Sequence, residues 1–498
     1  MTRRATVLLA ALALALPASG NAQQPALPSV PQSLSLAEAV ELARQYNPIF
    51  RQTANDRGPA AWGVRNAYAA FLPRLDLSGG IGYQGAGTQA FLADEFVLTS
   101  STIGSSYNIS LSMSLSGRTL MQPGLAKAQR RATEASIAGA EINLESNVRQ
   151  QYLAVLQAEA QVELAELQVT RNDEFLRLAQ ARFDVGQNTM LDVRQAEVAK
   201  GQSEVALLEA RQTVTVEKLR LFQLLGVPAP DDPSFVTLPD TFPIIEPQWE
   251  LASLLGEADV ENPDLNSLRA RESAARASER AAKSSWLPTL SFSAGWSGFT
   301  QEFTNSDFPV NQAEQGALAA VQQCQFADQY WLNPGLSPPV DCTSFALTPD
   351  RAQDIRERNE VFPFDFTGQP FRATLGISLP IFTQFSRQLQ IAEASVLTDD
   401  AREAVRAREL LVRTEVSQAY YSLLTAYETI GIQENNRTAA GEQLRLATER
   451  YRVGSGTFFE LLDAQVAAQR AEADYINAIY AYHRAIATLE AAVGRPLR

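Results

Sequence analysis

The chain has 498 residues and a formal net charge of −14, with 56 acidic side chains against 42 lysines and arginines. This acidic balance, without a basic stripe anywhere along the sequence, excludes a nucleic-acid-binding protein. A single histidine and two cysteines supply neither a transition-metal site nor a Ser/His or Cys/His pair for nucleophilic catalysis, so the sequence predicts no enzyme, no metal and no cofactor.

The first 22 residues have the three parts of a secretory signal peptide. Arg3 and Arg4 form the positive start, residues 5–16 form the apolar run, and small residues ending at Ala22 form the cleavage site. The mature chain is therefore expected to begin at Gln23. No later segment approaches the roughly 20 apolar residues of a membrane-spanning helix, so the exported protein is either soluble or inserted as a β-barrel.

The mature sequence contains two copies of one unit, residues 23–226 and 248–498, joined by a proline-rich linker at 227–247. The copies share the pairs Asn47-Pro48 with Asn262-Pro263, Phe71-Leu72-Pro73 with Trp286-Leu287-Pro288, and Gly226 with Gly494. The second copy carries an enlarged loop between its strands and four further residues downstream. We expect these four residues inside a helix, where just over one turn leaves the apolar face nearly in place.

Each copy contains two segments that alternate apolar and polar residues, at about 73–84 and 106–116 and again at about 288–299 and 371–382. One alternative is a soluble sandwich with one hydrated face. The apolar side is uniform in all four segments, however, and aromatic residues lie near their ends, which is typical of strands facing lipid. Four strands are too few to close a barrel and an open edge is not tolerated in lipid, so several chains must share one barrel.

The remaining sequence is helical and predicts a hairpin at about 123–226 and another at about 384–494, with tips near 184–190 and 452–458. Residues 123–183 read as one uninterrupted helix. One apolar stripe in the second hairpin follows heptad spacing and a second stripe lies beside it. The first stripe is Val412, Val416, Ala419, Leu423, Ala426 and Ile430, and the second is Tyr420, Leu424 and Tyr427. Two stripes require neighbours on both sides, which favours a ring of helices over an ordinary bundle.

Both tips contain a glycine, which commonly ends a helix, followed by a threonine, which commonly begins the next one. The second hairpin loop, at about 300–370, contains Cys324 and Cys342. In an exported chain this favours a disulfide over two free thiols.

The two tip sequences, R-F-D-V-G-Q-N-T-M-L-D-V-R-Q-A at 182–196 and R-Y-x-V-G-x-x-T-x-x-E-L-L-D-A-Q at 450–465, resemble those of the TolC family of outer-membrane exit ducts. The resemblance extends over about 34–497. It implies an α+β membrane protein, a homotrimer in which four strands per chain form one 12-stranded β-barrel, continued by a long α-helical periplasmic tunnel. It also implies a periplasmic adaptor (membrane fusion protein), an inner-membrane pump or ABC transporter, and contact with outer-membrane lipid.

The same resemblance implies roles for individual residues. Glu460 and Asp463, three residues apart on one helix face, match the acidic rings that narrow the tunnel; the alternative is that acids merely suit the first turn of a helix. Asp192 and Tyr451 match a latch, although the arginine usual in that latch is replaced here by Gly456. The tips that dock the adaptor correspond to Val185, Gly186, Thr189, Val453, Gly454 and Thr457.

Three questions stay open in the sequence. The competing function is a periplasmic helical adaptor or scaffold of an export complex, which would also carry long helical hairpins. The loop at about 300–370 is expected outside the cell, either as a partial lid or as a surface epitope. The cargo, whether drug, metal, polysaccharide or protein, is not specified.

Overall fold

The computed structural model describes residues 31–91, 95–332 and 340–497, and the predicted signal peptide (1–22) and mature start at Gln23 lie outside these residues. The chain divides into two compact units. The helical unit comprises the residues up to 59, 131–273 and 399–498, and the sheet unit comprises 60–130 and 274–398. Among the helices of the described residues, none combines the length and the apolar composition of a membrane span.

Long helices and a small antiparallel sheet make up the structure. The helices are α1 (Leu36–Tyr46), α2 (Pro48–Asn55), α3 (Arg57–Ala69), α4 (Gly117–Asp184), α5 (Met190–Leu225), α6 (Leu251–Glu261), α7 (Pro263–Lys283), α8 (Asp307–Ala327), α9 (Pro349–Asn359), α10 (Ser386–Arg452) and α11 (Phe458–Val493). The strands are β1 (Arg74–Gln84), β2 (Gly87–Phe91), β3 (Glu95–Thr99), β4 (Thr102–Leu115), β5 (Thr289–Phe303), β6 (Thr367–Gly368) and β7 (Arg372–Ser378). The four predicted strands and two predicted hairpins are all present.

The first long helix begins six residues before Pro123, where the sequence placed its start. The Ser116 hydroxyl accepts a hydrogen bond from the Thr119 amide at 3.1 Å, and the Leu120 amide donates to the Ser116 carbonyl at 3.1 Å. These bonds cap α4 directly after β4, and Pro123 then lies inside the helix. The serine cap therefore decides where the helix begins, and the proline is tolerated close to its start.

The four extra residues of the second copy do not lie inside a helix, so that prediction is wrong. α4 and α10 have nearly equal lengths, 68 and 67 residues. A single residue separates β4 from α4, whereas residues 379–385 separate β7 from α10. Pro380 has no amide to donate, and Gln384 and Phe385 adopt positive φ, so this connection cannot continue either element.

The main sheet has the order β1–β4–β5, and β7 and β6 both pair with the far side of β5. All pairings are antiparallel, and the register aligns Leu77 with Ile109 and Ile109 with Trp296. Because side chains directly opposite one another share a face, the predicted apolar positions lie together on one side of the sheet. Polar side chains, most of them hydroxyls, and glycines occupy the other side. A separate hairpin, β2–β3, joins β1 to β4 and was not foreseen.

The internal duplication is visible in two equivalent corners of the helical unit. The Asn47 side chain donates to the Leu224 carbonyl at 2.7 Å and accepts from the Phe50 amide at 2.9 Å. Asn262 repeats both bonds in the second copy, with the Ala492 carbonyl at 2.8 Å and the Leu265 amide at 3.0 Å. Each asparagine thus begins one helix and holds the end of another helix from its own copy.

The predicted heptad stripe of the second copy forms its core. Val412, Val416, Leu423 and the intervening Ala419 are nearly fully buried, as is Ile430. They pack against α6 and α11. The second stripe, Tyr420, Leu424 and Tyr427, is only half-buried. A helix with one buried and one half-buried apolar stripe retains a side on which further chains can pack.

The proline-rich linker is ordered by polar contacts with the first copy. The Tyr152 hydroxyl donates to one carboxylate oxygen of Asp240 at 2.7 Å, and this Asp240 oxygen also accepts from the Leu36 amide at the start of α1. The buried Lys218 ammonium contacts Glu159 at 2.8 Å and the Val236 carbonyl at 2.7 Å. Burial beside Asp240 raises the pKa of the Tyr152 phenol far above its usual range, so the phenol stays protonated at neutral pH and can donate this bond.

Candidate functional site

The two hairpin tips have the same local conformation. Gly186 follows α4 with φ of 74°, and Gly454 follows α10 with φ of 80°, a left-handed conformation that a side chain disfavours. Their amides donate back to the last helical turn, to the carbonyls of Phe183 and Tyr451 at 2.9 and 3.1 Å. The glycines predicted at the tips are therefore required by the turns that end both helices.

Both returning helices begin with a capping box. Thr189 caps α5 and Thr457 caps α11, and each hydroxyl accepts from the amide three residues later, at 3.3 and 3.2 Å. In return, the Asp192 and Glu460 carboxylates accept from the threonine amides at 2.9 and 3.4 Å. The local sequence therefore specifies the start of each helix.

The two predicted gate acids have different surroundings. Glu460 belongs to the capping box and also lies 3.5 Å from the Arg450 guanidinium. Asp463, one turn further along α11, is exposed and has no ion partner among the described residues. The two carboxylates line one groove between the end of α10 and the start of α11. Asp463 thus presents an uncompensated charge, whereas the charge of Glu460 is partly offset.

Tyr451, predicted as part of a latch, is nearly fully buried. The Asn188 side-chain amide donates to its hydroxyl, and the Arg182 guanidinium lies 4.7 Å from its ring centre while donating to its backbone carbonyl. The other predicted latch residue, Asp192, is bound to Thr189 in the capping box. Burial raises the pKa of the Tyr451 phenol, which remains protonated at neutral pH.

The position where the latch arginine was missing is crowded. A side-chain carbon built on Gly456 would lie 3.1 Å from the Arg450 side chain and 3.3 Å from the Glu460 carboxylate. Asn188, which contacts Tyr451, is the counterpart of Gly456 in the first copy. Tyr451 is thus contacted by Arg182 and Asn188, which both belong to the first copy. We name Arg182, Asn188 and Tyr451 the tip clamp.

The predicted docking residues are exposed at both tips. The Val185 side chain is 69% exposed and that of Val453 is 74% exposed. Phe459, beside the Thr457 cap, is 75% exposed. Apolar side chains of this size on a turn have no packing role within the described residues, which is consistent with a partner surface.

The sheet presents a second candidate surface on its apolar face. The large side chains of this face are most exposed on the two edge strands, β1 and β7. They are Leu75, Leu77, Ile81, Tyr83, Leu375 and Ile377, which are between 68% and 76% exposed. A contiguous apolar face of this kind requires a non-aqueous neighbour.

Cys324 and Cys342 form a disulfide that joins α8 to the turn at Cys342–Phe345, with a Cα–Cα distance of 5.7 Å. The two cysteines are 18 residues apart, so the disulfide closes a loop of this length in the unfolded chain and lowers its entropy. In the chain-entropy model this stabilises the folded segment by about 3 kcal/mol.

We expect the double substitution Cys324→Ser and Cys342→Ser to raise the rate of proteolysis at residues 307–345 by roughly 100-fold, because cleavage follows local opening. Cleavage elsewhere should not change. Limited proteolysis with mass spectrometry, with reduced and oxidised wild-type protein as references, measures this. Equal cleavage rates in all samples would show that the disulfide does not stabilise this segment.

The described residues contain no cluster of three or more His, Cys, Asp or Glu side chains that could hold a metal. Sequence reasoning missed Arg182, Asn188 and Arg450 as candidate site residues. The signal available was their position in the repeat: Arg182 and Arg450 are counterparts, at the last turn before each tip.

Comparison with known proteins gives a consistent result. The model of the family described as "Outer membrane efflux protein" matches residues 39–227 and 346–495, more than half of the chain. The chain is 29% identical over 202 residues to the pyoverdine export outer membrane protein OpmQ of Pseudomonas putida, covering 38% of this chain and 42% of OpmQ. It is 32% identical over 127 residues to the alkaline protease secretion protein AprF of Pseudomonas aeruginosa, covering 25% and 26%. The aligned part is thus less than half of each of these relatives.

The fold is also that of a solved outer-membrane channel. The structure of the CmeC outer membrane channel of Campylobacter jejuni superposes with a TM-score of 0.68 at 16% identity, covering 92% of this chain and 85% of CmeC. At this identity the likeness establishes the fold.

Proposed function

The chain belongs to the family of outer membrane efflux proteins and is located in the outer membrane, and we propose that it is the exit duct of a tripartite efflux or type I secretion system. The observation that carries this proposal is the sheet, because the large side chains of its apolar face are mostly exposed. Substrates would pass through the duct passively, and a partner would supply the energy.

The sheet supports a shared barrel. Within the described residues, the outer edges of β1 and β7 pair with no other strand. Unpaired backbone groups are costly in lipid, so these edges must meet other strands. We infer that three chains contribute four strands each to one 12-stranded barrel, with the apolar face towards lipid and the Ser- and Gly-rich face towards the lumen.

The helical hairpins support a periplasmic tunnel. The half-buried second stripe of α10 would pack against a neighbouring protomer, which closes a ring of helices. The exposed tip residues Val185 and Val453 would then dock a periplasmic adaptor. The adaptor would connect the duct to an inner-membrane pump or ABC transporter.

The names of the relatives indicate two classes of cargo. OpmQ is named for pyoverdine export and AprF for alkaline protease secretion. We propose that this chain likewise exports either small molecules or a protein. The Glu460 and Asp463 carboxylates of three chains would converge at the inner end of the tunnel and favour cations there.

The proposal is tested with a charge placed on either face of β7. Ile377→Asp puts a carboxylate on the apolar face, where the wild-type side chain is 76% exposed, whereas Thr374→Asp puts one on the opposite face. A basic side chain at the middle of the lipid face costs about 2–4 kcal/mol and an acidic one less, and this cost recurs in each chain. We therefore expect Ile377→Asp to reduce trimer yield in outer-membrane fractions strongly and Thr374→Asp to leave it unchanged.

Extraction of the wild-type protein separates the two functions weighed from the sequence. An exit duct requires detergent to leave the outer membrane and forms channels in planar bilayers. Release by carbonate or high salt alone, together with equal yields of Ile377→Asp and Thr374→Asp, would instead identify a periplasmic adaptor or scaffold.

A further inference from the structure

The last part of the enlarged loop lies against the apolar face of the sheet. We name residues 361–366, with the sequence Val-Phe-Pro-Phe-Asp-Phe, the strap. The Ser105 hydroxyl donates to the Pro363 carbonyl at 2.6 Å, and the Phe362 amide donates to the Glu302 carboxylate at 2.9 Å. The Phe366 ring contacts the Tyr107 ring edge-on, with centroids 4.9 Å apart.

The register identifies which side of the sheet the strap covers. Along β4 and β5, Ser105 is opposite Thr300, Tyr107 two positions on is opposite Gly298, and Ile109 four positions on is opposite Trp296. Because alternate residues of a strand share a face, Ser105, Tyr107 and Thr300 lie on the same side as Ile109 and Trp296. The strap therefore lies outside the sheet, on the side that the proposed function gives to lipid, and it does not cross the lumen.

This face changes character at the strap. Beyond Tyr107 the central strands β4 and β5 carry Ser105, Thr300 and Glu302 on this face, whereas the edge strand β1 continues with the apolar Ile81 and Tyr83. Ser105 and Thr300 are 7% and 4% exposed, and their hydroxyls are 2.9 Å apart. Without the strap these polar groups would face hydrocarbon with no partner other than each other, which is unfavourable. The strap thus covers the polar part of this face on β4 and β5, beside the apolar side chains of β1.

The sheet is adapted to hold the strap. A side-chain carbon on Gly298 would lie 2.4 Å from the Tyr107 ring, so the glycine leaves the space in which that ring lies. Asn359, at the end of α9, donates to the Phe303 carbonyl at 2.8 Å and accepts from the Phe303 amide at 2.9 Å. This pair of bonds satisfies the backbone of β5 as a neighbouring strand would.

Aromatic rings surround the same level on the outer side. Phe364 is 72% exposed and belongs to the strap, whereas Trp296 and Phe371 are about half exposed and lie 4.7 Å apart on the sheet. Aromatic side chains concentrate where hydrocarbon meets polar headgroups. The connections of β1, β4, β5 and β7 to α3, α4, α7 and α10 all lie at the opposite end of the sheet.

We propose that the strap rests at the boundary between headgroups and acyl chains of the outer leaflet, with the Phe364 ring inserted into it. The partner is the lipid surface, and the inference rests on the proposed function because it requires the apolar face to contact lipid. The end of the enlarged loop is then an external membrane anchor, and only the part before it is free to approach the mouth.

Site-directed spin labelling in phospholipid vesicles tests the proposal. Three single cysteine variants are labelled without reductant, so that the native disulfide stays closed: Phe364→Cys on the strap, Leu375→Cys on the apolar face and Asp354→Cys on the exposed side of α9. We expect the ratio of oxygen to nickel-chelate accessibility at 364 to be several-fold above that at 354 and below that at 375.

Each contrary outcome has a distinct meaning. A ratio at 364 equal to that at 354, with 375 in lipid, would overturn the anchor and leave the proposed function intact. Protection of 364 from both reagents would show that protein, such as a second copy, covers the strap, which also overturns the inference. A water-exposed label at 375 would overturn the proposed function itself.

Discussion

Channels that carry Asp463→Asn should lose most of their preference for cations, whereas Glu460→Gln should reduce it much less. Asp463 is exposed without an ion partner in the described structure, and the Glu460 carboxylate lies 3.5 Å from Arg450. In the proposed constriction, a permeating cation would therefore experience the full charge of Asp463 and only a partly offset charge at Glu460. The measurement is the reversal potential of single channels in a potassium chloride gradient.

The size of the effect follows from Coulomb's law. Two unit charges about 4 Å apart in water interact by about 1 kcal/mol, which changes the local occupancy of a cation roughly fivefold. Three copies of Asp463 near one axis, as proposed, would raise this figure, and high salt would lower it. Glutamine at 460 retains the capping bond to the Thr457 amide, so Glu460→Gln isolates the charge from the start of α11.

Arg450→Gln provides a variant with the opposite expected sign. Removal of this guanidinium frees the Glu460 charge, so cation preference should increase. Gln195→Ala is the neutral control, because Gln195 is the counterpart of Asp463 in the first copy. An unchanged reversal potential in Asp463→Asn would exclude Asp463 from the constriction. A decrease in Arg450→Gln would show that the pairing with Glu460 does not control the field.

Features set by neighbouring residues were predictable from the sequence. The tips follow from a glycine that ends one helix and a threonine three residues before an acid that begins the next, as Thr457 and Glu460 illustrate. The faces of the strands follow from alternation alone, and the register of Ile109 with Trp296 agrees with it. Such signals act over a few residues and do not depend on the rest of the chain.

Features set by distant residues were not predictable. Arg182 meets Tyr451 across 269 positions, and no local pattern distinguishes Arg182 from its counterpart Arg450, which contacts Glu460 instead. The strap was missed for the same reason, since its contact with Ser105 spans 258 positions. The misplaced helix start shows the reverse error, in which Pro123 was given more weight than the Ser116 cap.

Arg182→Ala is expected to produce leaky channels, because the tip clamp joins the end of α4 to the end of α10. The guanidinium lies over the Tyr451 ring and donates to the Tyr451 carbonyl. A desolvated cation–π contact contributes up to about 2 kcal/mol, and a hydrogen bond from a charged group about 1.5–3 kcal/mol. A combined loss of about 3 kcal/mol shifts a two-state tip equilibrium roughly 100-fold per protomer.

The leak is measured as basal single-channel conductance and as the susceptibility of cells to a large antibiotic that enters only through an open duct. Arg177→Ala is the matched control, since this arginine lies on the same helix but is 79% exposed and, among the described residues, forms an ion pair only with Asp173 four residues earlier. Tyr451→Phe keeps the ring and removes the bond from Asn188, so its leak should be intermediate. Lysine at 182 keeps the charge but not the planar stacking group, so Arg182→Lys should restore closure only in part. If Arg182→Ala conducts like Arg177→Ala, the clamp stabilises the fold of the tip without controlling the passage, and closure must depend on contacts between protomers.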